Sequence, residues 1–236
     1  MNRQLPLPFF FAPEHGFDEY YAGGNAEAVE HLRRAAQGQA EPLIFLWGEA
    51  GLGKTHLLHA CCREAHRAGL HVSYLPLRLV RDFGGGILDG LEDQDLVCLD
   101  DLEAVAGDEA WEQALFELFN RLRDEERGLI VTAQTPPDGV PIQLPDLQTR
   151  LAWGLTLMLR PLADADKLAA LSLWARQLGL DVPPAVGRFL LSNYRRDLPG
   201  LLALIEQLDS ATLAAKHKLT IPFLKTFLQE FLEKNP

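Results

Sequence analysis

Between residues 43 and 159 the chain alternates short apolar runs with longer stretches whose apolar positions recur three or four apart. The runs at 43–47, 71–75, 96–99, 128–132 and 155–159 predict strands buried on both sides. Residues 56–68 predict a helix that Gly69 ends, and residues 109–125 a second one with Trp111, Leu115, Leu118, Phe119 and Leu122 on its apolar side. A helix is also predicted over 25–36, where Val29, Leu32 and Ala36 share a face. A short helical stretch over 77–83 precedes the break Gly84-Gly85-Gly86. Strands alternating with helices predict an α/β fold with a parallel five-stranded sheet, helices on both faces. After Pro161 only helices fit, over 164–178, 184–194, 198–216 and 221–234. Three prolines in the first thirteen residues make 1–16 an extended tail. The expected organisation is a tail (1–16), an α/β core (17–160) and a small all-helical domain (161–236).

Composition narrows the function. The 236 residues carry a formal net charge of −11, and no Lys/Arg run exceeds two. Such a chain is repelled by nucleic acid and anionic lipid, so a stand-alone DNA-binding role is not expected. No apolar stretch approaches membrane-spanning length, and the opening residues lack the apolar core of a signal peptide, so a cytoplasmic protein is expected. Cys61, Cys62 and Cys98 fall in a helix and a strand and read as small core side chains. His56, His59 and His66 read as an ordinary helix face, because no Cys or carboxylate partners stand near them.

The chemistry is carried first by Gly48-Glu49-Ala50-Gly51-Leu52-Gly53-Lys54-Thr55, a complete G-x-x-x-x-G-K-[ST] phosphate-binding loop between a predicted strand and a predicted helix. Gly48, Gly51 and Gly53 free the backbone to curl its N–H groups around an anion at a helix start. Lys54 would reach the β- and γ-phosphates, and the Thr55 hydroxyl would ligate Mg²⁺. The third strand ends in Asp100-Asp101, with Asp100 placed to hold Mg²⁺ and Asp101 to polarise water. The fourth strand ends in Thr132-Ala133-Gln134; Gln134 is the better γ-phosphate sensor, though Thr132 remains open. Arg150, just before the last strand, and Arg196, at a helix start in the second domain, stand out as candidate nucleotide-directed cations, with Arg195 an alternative to Arg196.

In this order the parts resemble the AAA+ ATPases, and within them the DnaA/Hda branch of bacterial replication proteins. The segment from Gly48 through His56 to Ala60 is similar to the initiator's phosphate-loop stretch, and Asp100-Asp101 to its paired acidic residues. Thr149-Arg150-Leu151-Ala152-Trp153-Gly154 resembles its arginine-finger box, and Asn193-Tyr194-Arg195-Arg196-Asp197-Leu198-Pro199-Gly200 its second-sensor helix. Gln134 falls at its first sensor. The resemblance covers residues 17–234 and implies nucleotide contacts from Gly48, Gly51, Gly53, Lys54, Thr55, His56 and Arg196. It also implies an AAA+ core followed by a helical lid.

Two departures matter. The chain stops before the initiator's helix-turn-helix domain, and the span between the second and third strands is short and acidic from Asp89 to Asp95, where the initiator contacts single-stranded DNA. At the front, Gln4-Leu5-Pro6-Leu7-Pro8-Phe9 resembles the Q-L-[SP]-L-P-[LF] motif that docks on the sliding clamp, with Leu7 and Phe9 filling apolar clefts. Together these imply a regulatory inactivator of the initiator. It would bind ADP or ATP with Mg²⁺ and dock through Gln4, Leu5, Leu7, Pro8 and Phe9 on the DNA polymerase III β clamp loaded on DNA. From there it would stimulate hydrolysis of DnaA-bound ATP through Arg150 in trans. The implied partners are the DnaA initiator and the clamp; a homo-oligomer stays open, and neither sequence-specific DNA nor membrane binding is expected. A helicase loader or clamp-associated factor that hydrolyses its own ATP is the alternative.

Overall fold

Five strands, β1 (Leu43–Trp47), β2 (Val72–Pro76), β3 (Leu96–Asp100), β4 (Gly128–Ala133) and β5 (Leu155–Met158), pair in one wholly parallel sheet of order β2-β3-β4-β1-β5. The computed structural model describes residues 16–39, 41–194, 197–215 and 219–234. The clamp-type hexapeptide and Arg195 and Arg196 lie outside the described residues.

Alternate side chains of a strand face opposite ways, so a strand covered on both sides must be apolar throughout. Leu43 and Phe45 accordingly join Val97, Leu99, Leu129 and Val131 on one face. Ile44 and Leu46 join Leu96, Cys98, Ile130 and Leu157 on the other. The first face is covered by α3 (Leu77–Val80), α4 (Glu109–Asp124) and α5 (Pro145–Leu151), through Leu77, Trp111, Leu118 and Leu147. The second is covered by α1 (Ala26–Ala36) and α2 (Lys54–Arg67), through Leu32, Leu57, Leu58 and Cys61. Each fully buried Leu or Phe among these contributes roughly 1.5–3 kcal/mol. The α/β fold read from the sequence is the one observed.

The helix α4 starts where Asp108 caps it, its Oδ1 accepting from the N–H groups of Ala110 (3.0 Å) and Trp111 (3.2 Å). The periodicity did not reveal α5. With seven residues, a proline at its first position and only Leu147 and Leu151 buried, it is too short to show a helical period. β2 also runs one residue later than the apolar run, through Pro76.

The chain divides into two compact units at Arg160–Pro161. The second contains α6 (Asp164–Gln177), α7 (Pro184–Asn193), α8 (Leu198–Ala215) and α9 (Ile221–Lys234). Its own core gathers Leu171, Val186, Leu190, Leu204, Ile205 and Leu224. Among the described residues no helix is long and apolar enough to cross a membrane.

Candidate functional site

Three parallel strands deliver the candidate residues to one edge of the sheet. β1 runs out into the phosphate loop, β3 ends at Asp100, and β4, which lies between them, ends at Ala133 just before Gln134. Ligands of open parallel sheets bind at these carboxyl ends. The loop is pinned at its base by the Gly48 N–H donating to the Ala133 carbonyl at 3.2 Å.

Gly51 (φ +80°) and Gly53 (φ +89°) are left-handed, the conformation that L side chains resist. Gly53 is needed for a second reason. Tyr20 lies across it, so a methyl group there would stand 2.6 Å from the ring. The Tyr20 hydroxyl donates to the Leu52 carbonyl at 3.0 Å, and burial pushes its pKa up to about 12, which keeps it a donor. Gly53→Ala is therefore expected to weaken ADP binding by roughly 5- to 30-fold, the equivalent of the ~1–2 kcal/mol cost of a left-handed alanine. Calorimetric titration with ADP checks this, and an affinity equal to that of the parent would show that the turn is not needed.

Lys54 is buried and donates from Nζ to the carbonyls of Gly48 (2.7 Å) and Glu49 (3.0 Å), which folds it back under the loop. Burial lowers its pKa, an effect opposed by the charges of Glu103, Asp101 and Asp100. Thr55, in the first turn of α2, donates to Asp100 Oδ2 at 2.7 Å. Tyr74, in the middle of β2, donates to the same oxygen at 2.9 Å; burial first, then the Asp100 charge, raises its pKa. The other oxygen, Oδ1, accepts from the fully buried Thr132 hydroxyl. Asp100 is thus held in one orientation by hydroxyls from α2, β2 and β4. The Thr55–Asp100 pair is a hard-oxygen donor set of the kind Mg²⁺ takes beside phosphates, so the residues fit that ion.

Thr132 also accepts from the Asp101 N–H at 3.0 Å. Thr132 is thus buried behind the acidic pair as a bracket, whereas Gln134 is exposed just beyond the end of β4. Thr132→Val keeps the shape and removes the hydroxyl. It should cost about 1–3 kcal/mol for each buried group left unbonded. In a chain of this size that is about 2–4 °C of melting temperature per kcal/mol. A thermal melt of the valine and serine variants checks this; a valine variant as stable as the serine one would refute the bracket.

Asp101 adopts a left-handed conformation (φ +60°), tolerable for an Asp, and its Oδ2 accepts from Arg78 Nε at 3.2 Å. His56 is half-buried, with Nε2 2.9 Å from the Gly16 carbonyl. Arg150 is not brought to this edge. It sits in the last turn of α5, before β5 begins, toward the amino end of the parallel strands, whereas the loop that follows β1 is at their carboxyl end. Its guanidinium stacks 4.0 Å over the Trp153 ring, which is 61% exposed, and its Nη1 is buried without a hydrogen-bond partner among the described residues.

Sequence reasoning missed Tyr20, Tyr74, Arg78 and Glu103. Tyr20 and Tyr74 carry no local signal, because each meets its partner across more than twenty residues. Glu103 follows the acidic pair closely enough to have been weighed. Its carboxylate oxygens are buried, accept no hydrogen bond among the described residues, and form the foremost charge acting on Lys54.

The sheet, the loop and the acidic strand end define an AAA+ protein of the phosphate-loop class. Residues 11–158 match the bacterial DnaA ATPase domain, and residues 164–228 match the lid domain of Hda. The chain belongs to the bacterial DnaA ATPase-domain family, in the DnaA/Hda branch of AAA+ proteins. Among solved structures it is similar to domain III of the replication initiation protein DnaA from Thermotoga maritima. That match has 22% identity and a TM-score of 0.81, and covers 95% of this chain and 99% of that one. A replication initiator DnaA bound to AMPPCP and single-stranded DNA aligns with 24% identity and a TM-score of 0.72, over 88% of this chain and 69% of that one. AMPPCP-bound DnaA from Aquifex aeolicus aligns with 25% identity and a TM-score of 0.70, over 84% and 66%.

Proposed function

We propose that this chain is a nucleotide-bound negative regulator of replication initiation that activates ATP hydrolysis on DnaA. The observation that carries the reading is the place of Arg150. Its guanidinium stacks on the exposed Trp153 just before β5, toward the amino end of the parallel strands and away from its own phosphate loop, which supports a role toward a neighbour's nucleotide. The match of the second unit to an Hda lid supports the same branch of the family.

On this reading residues 48–55 hold ADP or ATP, as relatives hold AMPPCP. The loop N–H groups and Lys54 bind the phosphates, while Thr55 and Asp100 hold Mg²⁺, which supplies charge neutralisation at the phosphates. Asp101, engaged by Arg78, is not free to order water, which favours a held nucleotide over a rapidly turned-over one. Gln4, Leu5, Leu7, Pro8 and Phe9 dock on the β sliding clamp, and that tether raises the local concentration of the chain near the initiator. Arg196 contributes the second sensor. Arg150 stabilises charge on the γ-phosphate held by DnaA.

The test is to incubate ATP-loaded DnaA with DNA-loaded clamp, the chain and ADP, and to read the nucleotide on DnaA over time. Conversion to ADP that requires both chain and clamp supports the reading. Clamp binding with no change in DnaA-bound ATP would defeat it.

A further inference from the structure

Glu112, in the first turn of α4, is a charged residue only 1% exposed. Burying a carboxylate is costly unless hydrogen bonds replace water. Here they come from backbone. Oε1 accepts from the N–H groups of Gly107 (2.7 Å) and Gln143 (3.0 Å), and Oε2 from Gln143 (2.9 Å) and Leu144 (2.7 Å). One side chain therefore ties together two separate segments.

The first segment descends from the acidic pair. Ala104 N–H donates to Asp101 O (2.9 Å), Val105 to Leu102 O (3.2 Å) and Asp108 to Val105 O (3.3 Å), so a continuous series of turns leads from Asp101 to Gly107. Gly107 reaches the carboxylate in a left-handed conformation (φ +86°). The second segment is the entry to α5, whose cap residue, Leu144, makes no side-chain capping bond. A short helix with no cap of its own is fixed at its start by a carboxylate from another helix. Its far end carries Arg150, about one and a half turns along.

We propose that Glu112 is a positioning residue for Arg150: by holding the start of α5 to the segment leaving Asp101, it sets where the guanidinium is presented. The inference rests on the reading of Arg150 as a finger acting in trans. Its logic is geometric. Arginine acts through a planar fork that must meet phosphate oxygens in register, and a displacement of about 1 Å from remote disorder can cost on the order of 100-fold in rate. Glu112→Gln keeps the size of the side chain but puts an NH₂ against backbone donors, which releases one or both segments.

The experiment measures hydrolysis of DnaA-bound ATP with DNA-loaded clamp and saturating full-length chain. Glu112→Gln should lower the saturated rate roughly 10- to 100-fold. The half-saturating concentration of the chain and its ADP affinity should not change. Arg150→Lys supplies the second background, since a lysine is a flexible point charge that tolerates a displaced helix. There, Glu112→Gln should cost only a small fraction of what it costs beside arginine, whereas a general loss of folded protein would cost the same in both. If the glutamine variant melts below the assay temperature, Glu112→Asp, still anionic but one methylene shorter, replaces it. An unchanged rate for the glutamine variant, or equal losses in both backgrounds, overturns the proposal while leaving the finger intact. Full stimulation by Arg150→Ala would instead remove the finger reading itself.

Discussion

On the proposed function, Arg150→Ala should leave ADP binding and clamp binding intact and abolish stimulated hydrolysis of DnaA-bound ATP, a loss of roughly 10³- to 10⁵-fold. The size follows from the chemistry of a finger: its charge is needed only while the γ-phosphoryl group is in flight, so its removal falls on the rate and not on binding. The selectivity follows from position. Arg150 touches Trp153 and nothing in the phosphate loop, so its truncation leaves Lys54, Thr55 and Asp100 as they are. The fold should also survive, because truncation removes a guanidinium whose buried Nη1 has no hydrogen-bond partner among the described residues. Single-turnover hydrolysis on ATP-loaded DnaA, alongside an ADP titration of the variant, measures both halves. Retained stimulation would mean that another group does the work, and the reading of Arg150 as a finger would fall.

The second large effect is expected at Lys54. Lys54→Ala removes the ammonium that the loop carbonyls hold, and with it contacts to phosphate oxygens worth about 1.5–3 kcal/mol each. Two such contacts correspond to a fall in ADP and ATP affinity of at least roughly 100-fold. The carbonyls of Gly48 and Glu49 lose their donor as well, which loosens the loop that the phosphates must find. Isothermal titration gives the affinity. The rise in melting temperature on adding ADP should disappear with it. A variant still stabilised by ADP would place the nucleotide somewhere other than residues 48–55.

Most of the core could be read from the sequence because parallel strands buried on both faces are written as uninterrupted apolar runs, and Leu43 to Trp47 is such a run. Helices with long apolar stripes, such as α4, were equally plain. The short α5 was not, since seven residues give too few turns to show a period, and it carries the residue on which the proposed function depends. At the candidate site, Gly48 to Thr55 and Asp100 declare themselves through spacing. The groups that orient them do not. Tyr74 and Thr132 meet at Asp100 only because β2, β3 and β4 lie side by side, and pairing order is not written in any local motif. Glu112 had the opposite disguise: a glutamate on an amphipathic helix reads as a solvated residue until the loop entering α5 folds over it.

The place of β1 in the sheet has a consequence for the energetics of ligand capture. It is hydrogen-bonded on both sides, to β4 and to β5, and the loop that leaves it is clasped from above by Tyr20. A loop anchored in this way has little conformational entropy left to lose when an anion arrives. Preorganisation of this kind lowers the ordering cost of binding, and the contacts made to phosphate then appear almost undiminished as affinity.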